Sequence, residues 1–276
     1  MSALENTRLA FIGSGVMAEA MIKGLLGQQL VDPEAIISSD PFLPRVEELS
    51  ARYQIQCTTD NVVAAQQGQI VVLSVKPQVL PTVLRQLESR LRPDALVLSI
   101  VAGAQIETIA KGLGHRKIVR VMPNIPAQIG QGISVWMSTP EVDDRQREQG
   151  QTILRALGQE IYVDHEDYLD MATALSGTGP AYVFLFMEAL IDAGVHMGFS
   201  RRVAQQLVLQ TLQGSVAYAR QSNLHPAELR NQVTSPGGTS AEALYQLEKG
   251  GLRTVISRAI WAAYQKSRYL GGLTNE

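Results

Sequence analysis

The segment at residues 11–18, Phe-Ile-Gly-Ser-Gly-Val-Met-Ala, combines residue types that can bind nucleotide phosphates. Gly13 permits a tight turn after an apolar run, Gly15 lets the backbone approach a pyrophosphate, and Ala18 lets the following helix pack closely on its strand. The N-terminus of that helix presents free N–H groups and a positive dipole end to the phosphates. Because the motif directly follows a predicted strand, it indicates a dinucleotide-binding turn rather than a purely structural one.

A second candidate residue is Asp40, which ends a predicted strand about 20 residues after Ala18. In a dinucleotide-binding fold, an acid at this point bonds the adenine ribose and favours NAD(H), because its charge repels a 2′-phosphate. The alternative is a turn acid that precedes Pro41. Arg45 is the only nearby cation that could offset Asp40 and accept a phosphate.

Other candidates follow the ends of later strands, where open α/β sheets form their ligand crevice. Lys76, within Ser-Val-Lys-Pro at residues 74–77, is either a catalytic amine or a solvated residue whose backbone borders the nicotinamide ribose. Ala102 follows the next strand, and Asn124 follows the one after it. Asn124 could bond an amide or a ribose, or it could simply form a turn.

Two loops in the second half of the chain are rich in small and hydroxyl residues. The segment at residues 176–182 is either a kink between helices or a surface that approaches the nicotinamide or the substrate. The segment at residues 234–240, Thr-Ser-Pro-Gly-Gly-Thr-Ser, opens a predicted helix. Its backbone N–H groups and a hydroxyl can bind a small carboxylate. An ordinary helix cap needs only one Ser or Thr, so the surplus favours a ligand.

The sequence offers little support for metal or nucleophilic catalysis. The four histidines lie outside every motif named above, and no metal-ligand or Ser/His/Asp spacing is present. A dehydrogenase that acts on an alcohol usually needs a Lys or His to move the hydroxyl proton. A substrate that arrives protonated, such as an iminium ion, needs neither, and positioning against a hydride donor then supplies most of the rate.

Composition describes an ordinary globular chain of 276 residues with a net charge of −2. This charge gives no basic footprint, so we expect no nucleic-acid partner. The single cysteine, Cys57, rules out an intrachain disulfide. No apolar run is long enough for a membrane span, and the N-terminus lacks the apolar core of a signal peptide. We therefore expect a cytoplasmic protein with no membrane partner.

The pattern of elements predicts an α/β fold followed by a helical region. Strands are predicted at residues 9–12, 35–39, 54–57, 70–74, 96–101, 118–122, 132–137 and 160–163, and helices at residues 45–52, 62–67, 79–91, 106–113 and 143–157. This alternation is typical of βα units around a parallel sheet. From Tyr168 to Leu270 the pattern is nearly all helical, with breaks at residues 176–180, 198–200, 223–226 and 235–238. We expect a dinucleotide-binding domain at residues 1–164 and a helical domain at residues 165–276.

The predicted helix at residues 182–197 is apolar on most of its faces. Such a helix must be buried on all sides, and a helical domain of about 110 residues has a limited interior in which to bury it. The sequence therefore predicts a homodimer with shared helices.

With these residues in place, the chain resembles the pyrroline-5-carboxylate reductase family over nearly its whole length. The similarity rests on segments at residues 12–18, 74–78, 121–126, 176–182 and 235–239, which occur in the family's order. It implies reduction of 1-pyrroline-5-carboxylate to L-proline by NADPH or NADH. It also implies a Rossmann domain followed by a helical dimerisation domain, interlocked as a dimer and often assembled into a decamer of five dimers.

The resemblance also implies roles for individual residues. The implied contacts to the dinucleotide are Ile12, Gly13, Ser14, Gly15, Val16, Met17, Asp40, Asn61, Ser74, Val75, Lys76, Pro77 and Ala102. The implied contacts to the substrate carboxylate are Ser235, Gly237, Gly238, Thr239 and Ser240. The Ser240 hydroxyl would act in catalysis by bonding the ring nitrogen as the imine becomes an amine. No metal is implied.

The chain departs from the family's pattern at three places. Ser240 stands where the family usually has Thr, and Ile125 replaces the Thr of a common Met-Pro-Asn-Thr-Pro segment. Pro41 stands where many bacterial members have Arg, which argues against a strict NADPH preference. Alternative functions are a 3-hydroxyacid dehydrogenase, a regulator that binds NAD(P) without turnover, and a reductase of larger cyclic imines.

Overall fold

The computed structural model describes residues 3–273 and divides into two compact units. The first consists of the residues up to Thr178 together with those from Ala263 onward, and the second is Gly179–Ala262. The domain boundary at residues 164–165 stays a prediction.

One sheet of eight strands organises the first unit within the described residues. The strands are β1 (Leu9–Ile12), β2 (Ile36–Ser39), β3 (Gln56–Thr58), β4 (Ile70–Leu73), β5 (Leu96–Ser99), β6 (Ile118–Met122), β7 (Gly132–Ser138) and β8 (Gly158–Tyr162). Their order across the sheet is β3-β2-β1-β4-β5-β6-β7-β8. The chain leaves β1 in one direction and resumes on its other side at β4, so the order reverses there. Ligands bind beyond the strand ends at such a reversal.

Helices cover both faces of this sheet. They are α1 (Val16–Gly27), α2 (Leu43–Tyr53), α3 (Asn61–Gln67), α4 (Leu80–Leu87), α5 (Ile106–Leu113), α6 (Asp144–Arg155) and α7 (Asp167–Ala172). Successive side chains of a strand point to opposite faces. Phe11 accordingly packs in a core with residues of α1, α2 and α6. Ile12 packs in a second core with residues of α3, α4 and α5. Strand β1 lies between these two apolar cores and is therefore fully buried.

The expectation of a wholly parallel sheet is wrong at β7. Strand β7 pairs antiparallel with β6, and β8 then pairs parallel with β7. The connection between β6 and β7 is a short 3-10 turn, Ile125–Ile129. A parallel crossover needs a dozen or more residues, so this connection can only reverse the chain.

The second half is helical, as the sequence predicts. Its helices are α8 (Gly179–His196), α9 (Arg201–Ser222), α10 (Pro226–Gln232), α11 (Thr239–Lys249) and α12 (Leu252–Leu273). The predicted breaks at residues 198–200, 223–226 and 235–238 are confirmed. A further break at Gly250 and Gly251 was not predicted, and Gly251 has a φ of +73° that suits glycine.

The predicted break at residues 176–180 is confirmed: a π-helical turn at Thr173–Gly177 interrupts the α-helical pattern, and α8 begins at Gly179 after Thr178. The N–H of Thr178 donates to the carbonyl of Thr173 five residues earlier, at 2.8 Å. Pro180 has no N–H for the carbonyl of Ser176. The side-chain amide of Asn124 donates to that oxygen instead, at 3.2 Å. The side chain of Asn124 therefore satisfies the carbonyl of Ser176.

The helical run Asp167–His196 is long and apolar enough to cross a membrane by length and composition, contrary to the expectation from the sequence. Only 6% of its most apolar window is buried within the chain. In α8, Phe184 is 58% exposed and Leu185 is 66% exposed. Burial on all sides is therefore not achieved within one copy of this chain.

A buried arginine ties several elements of the first unit together. Arg120 on β6 is 3% exposed and donates to Glu166 at 2.6 Å and to Asp170 at 3.5 Å. Glu166 also accepts the N–H of Ile106 at the start of α5, at 2.8 Å. Asp170 also accepts the hydroxyl of Ser267 on α12, at 2.8 Å. One guanidinium thus holds α5, α7 and the end of α12 against the sheet.

We expect Arg120→Met to lower the free energy of unfolding by about 3–5 kcal/mol, because it leaves two carboxylates without their buried partner. The control is Arg116→Met, which removes an exposed arginine 3.9 Å from Glu141 and should cost less than about 1 kcal/mol. Urea denaturation of both variants measures the difference. Equal losses would show that Arg120 has no special structural role.

Candidate active site

The turn after β1 fits tightly against the end of β4. Gly13 has a φ of +93°, which only glycine adopts readily. Its N–H donates to the carbonyl of Ser39 at 2.9 Å, and its carbonyl accepts the hydroxyl of Ser74 at 2.7 Å. A Cβ at Gly13 would lie 2.9 Å from the Ser74 carbonyl oxygen and 2.8 Å from Val75. The ends of β1, β2 and β4 therefore meet at a point that requires glycine.

The space around Gly15 is open, in contrast to the filled space around Gly13. Gly15 is the N-cap of α1 and makes no side-chain cap hydrogen bond. A Cβ at Gly15 would meet no heavy atom within 4 Å, so the space in front of the helix is open. The N–H groups of the first turn can therefore face a ligand phosphate.

A cleft of about 800 Å³ opens beside these glycines. Its lining is Gly13, Gly15, Asp40, Pro41, Thr59, Asp60, Asn61, Val62, Ser74, Val75, Lys76, Val79, Thr82, Val83 and Gln86. A volume of this size is typical of cofactor sites. The open helix N-terminus and the cleft together fit a dinucleotide, with its pyrophosphate at Gly15 and its ribose at the end of β2.

The structure brings seven of the predicted cofactor residues together in this cleft. They are Gly13, Gly15, Asp40, Asn61, Ser74, Val75 and Lys76. The other predicted contacts, Ile12, Ser14, Val16, Met17, Pro77 and Ala102, do not line it. Ile12 is fully buried in β1, and its carbonyl accepts the N–H of Ser74 at 2.9 Å. The hydroxyl of Ser14 is buried against that of Ser38 at 2.7 Å, so this side chain supports the turn from behind.

Sequence reasoning missed one whole wall of the cleft. Val79, Thr82, Val83 and Gln86 line it from the start and one face of α4. Their spacing of three and four residues is the signal that could have identified this face. Asp60 was also missed, and its carboxylate caps α3 by accepting the N–H of Val62 at 2.8 Å.

The two charged residues expected at the ribose end have different roles. Asp40 lines the cleft, and its carboxylate accepts the N–H groups of Ser14 and Phe42, each at 3.0 Å. Arg45 instead donates to the Ser14 carbonyl at 2.8 Å, and its side chain also binds Glu48 and Glu19.

Glu19 lies in the first turn of α1 and is the centre of this charge cluster. It binds Arg45 at 2.5 Å, Arg52 at 2.6 Å and the hydroxyl of Tyr53 at 2.8 Å. Burial raises its pKa, but the hydrogen bonds from Arg45, Tyr53 and Arg52 outweigh burial and hold the pKa of Glu19 below its ordinary value. Burial likewise opposes the charge of Arg45, whose pKa is nevertheless raised by its bonds to Glu19 and Glu48. Both groups are therefore charged and paired with each other.

Asn124 does not offer a free amide to a ligand. Its Nδ2 donates to the carbonyl of Ser176, and its Oδ1 accepts the N–H of Ile133 at 2.9 Å. This side chain therefore positions the π-helical turn and the start of β7.

The predicted substrate loop at residues 234–240 lies in the second unit, and its last two residues, Thr239 and Ser240, begin α11 as predicted. Gly237 has a φ of +68°, and a Cβ at Gly238 would lie 2.5 Å from the hydroxyl oxygen of Ser235. Gly238 is the N-cap of α11 and makes no side-chain cap hydrogen bond. The loop therefore presents a helix N-terminus with hydroxyls beside it, which suits a small carboxylate.

The two glycines of the turn should respond differently to the same substitution. Gly13→Ala should unfold more easily because of the positive φ and the clash with Ser74. Gly15→Ala should keep its stability and bind NAD(P)H at least about 10-fold more weakly, because the new methyl group enters the space of a phosphate. Thermal melting and calorimetric titration of both variants test this. Unchanged binding in Gly15→Ala would contradict the placement of the pyrophosphate.

Family models match both parts of the chain. A model described as "Pyrroline-5-carboxylate reductase dimerisation" matches residues 166–270, and one described as "NADP oxidoreductase coenzyme F420-dependent" matches residues 8–103. The first unit accordingly contains an NADP-binding type of Rossmann domain, and the helical region is of a dimerisation type.

Complete relatives are similar over nearly their whole length. Pyrroline-5-carboxylate reductase of Synechocystis sp. is 41% identical over 96% of this chain and 99% of its own. That of Pseudomonas aeruginosa is 39% identical over 97% and 98%. A crystal structure of Plasmodium falciparum pyrroline carboxylate reductase with NADP bound aligns at 34% identity with a TM-score of 0.89, covering 97% of this chain and 99% of that one. The chain therefore belongs to the pyrroline-5-carboxylate reductase family.

Proposed function

We propose that this protein reduces 1-pyrroline-5-carboxylate to L-proline with a hydride from NAD(P)H, as the last step of proline biosynthesis. The observation that carries the proposal is the 41% identity to a named reductase over 96% of this chain. The glycine-lined cleft supports the cofactor, and the hydroxyl-rich loop at residues 234–240 supports a small carboxylate substrate.

In this reaction, the residues of the chain bind the substrate and position it. The N–H groups at the start of α11 and the side chains of Ser235 and Thr239 bind the substrate carboxylate, and Gly237 and Gly238 shape the loop around it. The hydroxyl of Ser240 bonds the ring nitrogen as the imine becomes an amine. When bound, NAD(P)H would supply the hydride to the C=N carbon of the imine, which becomes C5 of proline. Because an iminium ion already carries its proton, no strong acid or base is needed at the site.

The alternative of a 3-hydroxyacid dehydrogenase lacks its central residue. Such an enzyme needs a catalytic lysine in the helical region, and the two candidates there are Lys249 and Lys266. Lys249 lies over the ring of Tyr245 at 5.8 Å, and Lys266 lies over the ring of Tyr269 at 4.6 Å. Both ammonium groups contact an aromatic ring of their own helix. A regulator without turnover would have no need of the hydroxyl-rich loop.

The enzyme acts as a homodimer with shared helices, which assembles further into a decamer, in the cytoplasm. The support is the exposed apolar surface of α8 in the region that matches the dimerisation model. A second copy that covers this surface also accounts for a membrane-length helix in a chain with ordinary overall composition.

Purified protein should consume NAD(P)H when pyrroline-5-carboxylate is added and should form proline. Ser240→Ala should lower kcat by about 10- to 100-fold, because it removes one hydrogen bond to a group whose charge changes in the reaction. Its affinity for the dinucleotide should be unchanged. The matched control is Ser222→Ala, at the C-terminal end of α9 and outside the loop at residues 234–240, which should keep the kcat of the unmodified protein. No turnover by a folded protein that binds the dinucleotide would refute the proposal.

Phe184→Glu should convert the assembled protein to smaller species, because it places a charge on the apolar surface of α8. The control is Ile129→Glu, since Ile129 is 74% exposed and lies outside the dimerisation region. Sedimentation velocity measures both. If Phe184→Glu sediments like the unmodified protein, another surface forms the dimer.

A further inference from the structure

The adenosine end of the cleft has a fixed negative charge. Asp40 follows β2, and two backbone N–H groups, of Ser14 and Phe42, hold its carboxylate oxygens at 3.0 Å. Asp60 also lines this part of the cleft after β3, where it caps α3. In dinucleotide-binding folds a carboxylate after β2 accepts the ribose 2′-hydroxyl, whereas a 2′-phosphate needs a nearby arginine.

The arginine that could meet this need is already occupied. Arg45 uses its Nε on the Ser14 carbonyl at 2.8 Å, its Nη1 on Glu48 at 2.7 Å and its Nη2 on Glu19 at 2.5 Å. Arg52 binds the same two glutamates, so two cations and two anions form a neutral cluster. Turning Arg45 toward a phosphate would break three hydrogen bonds and leave the partly buried Glu19 with one arginine fewer.

Lys76 is the one cation among the residues that line the cleft, and it lies on the other side of the turn. It follows β4, while Asp40 follows β2, and β1 lies between these strands. Neighbouring strands are about 4.8 Å apart, so the two chain positions are separated by about 10 Å. This is about the distance over which salt screens charges in solution. Among the residues that line the cleft, no cation therefore follows β2 or β3, where the adenine ribose would bind.

We infer that the cleft binds NAD(H) in preference to NADP(H), with Asp40 as the residue that determines the specificity. Its carboxylate receives the ribose 2′-hydroxyl and repels a 2′-phosphate that the neutral Arg45 cluster does not attract. This preference departs from the NADP named in the matched family model and in the Plasmodium structure. The inference rests on the proposed cofactor but not on the proposed substrate.

Calorimetric titration with NAD⁺ and NADP⁺, which differ only in the 2′-phosphate, tests the inference without catalysis. The unmodified protein should bind NAD⁺ at least about 10-fold more tightly than NADP⁺, and the ratio should shrink at high salt. Asp40→Asn should bring the two affinities to within about threefold. Glu47→Gln removes an equal charge from an exposed site on α2 outside the cleft and should leave the ratio unchanged.

Tighter binding of NADP⁺ by the unmodified protein would overturn the inference. So would an affinity ratio that stays at the value of the unmodified protein in both Asp40→Asn and Asp40→Ser. The second variant is included because it does not place an amide against the Ser14 N–H. Because no imine is present, a failure here leaves the reductase proposal intact. Conversely, a protein that shows the expected ratio of NAD⁺ to NADP⁺ affinity but does not reduce the imine would support the NAD(H) preference and not the reductase proposal.

Discussion

The close approach of Gly13 to the end of β4 is the constraint on which the site depends. Hydrogen bonds from the turn to Ser39 and from Ser74 to the turn fasten three strand ends together. There is no room for a side chain at Gly13. The same turn directs α1 so that its open N-terminus at Gly15 faces the cleft. Packing on both faces of the sheet keeps these strand ends in place. The shape of the cofactor cleft therefore depends on the two buried cores.

The helical region has a different physical basis. The first unit has two apolar cores, whereas much of the apolar surface of α8 and α9 remains exposed in one copy of the chain. Area of this kind contributes to stability only when another surface covers it. This surface therefore adds little to the stability of the second unit within one copy of the chain, whereas the first unit has two buried apolar cores of its own.

Local patterns were sufficient to predict most of the fold. The apolar runs located all eight strands to within about two residues, and the glycine motif identified the turn. What the sequence did not reveal depends on contacts between distant residues. The π-helical turn needs the amide of Asn124, more than 50 residues from Ser176, and Arg45 is occupied by Glu19 on another helix. The antiparallel direction of β7 follows from the short connection between β6 and β7, which cannot form a parallel crossover.

The transfer of hydrogen from the cofactor to the C=N carbon of the imine, which becomes C5 of proline, is the central claim, and isotope labelling tests it most directly. The protein is incubated with pyrroline-5-carboxylate and with NADH or NADPH that carries deuterium at both C4 positions of the nicotinamide. The account predicts L-proline with a single deuterium, located at C5 by magnetic resonance. Proline without deuterium, or no proline from a folded protein that binds the dinucleotide, would contradict the account.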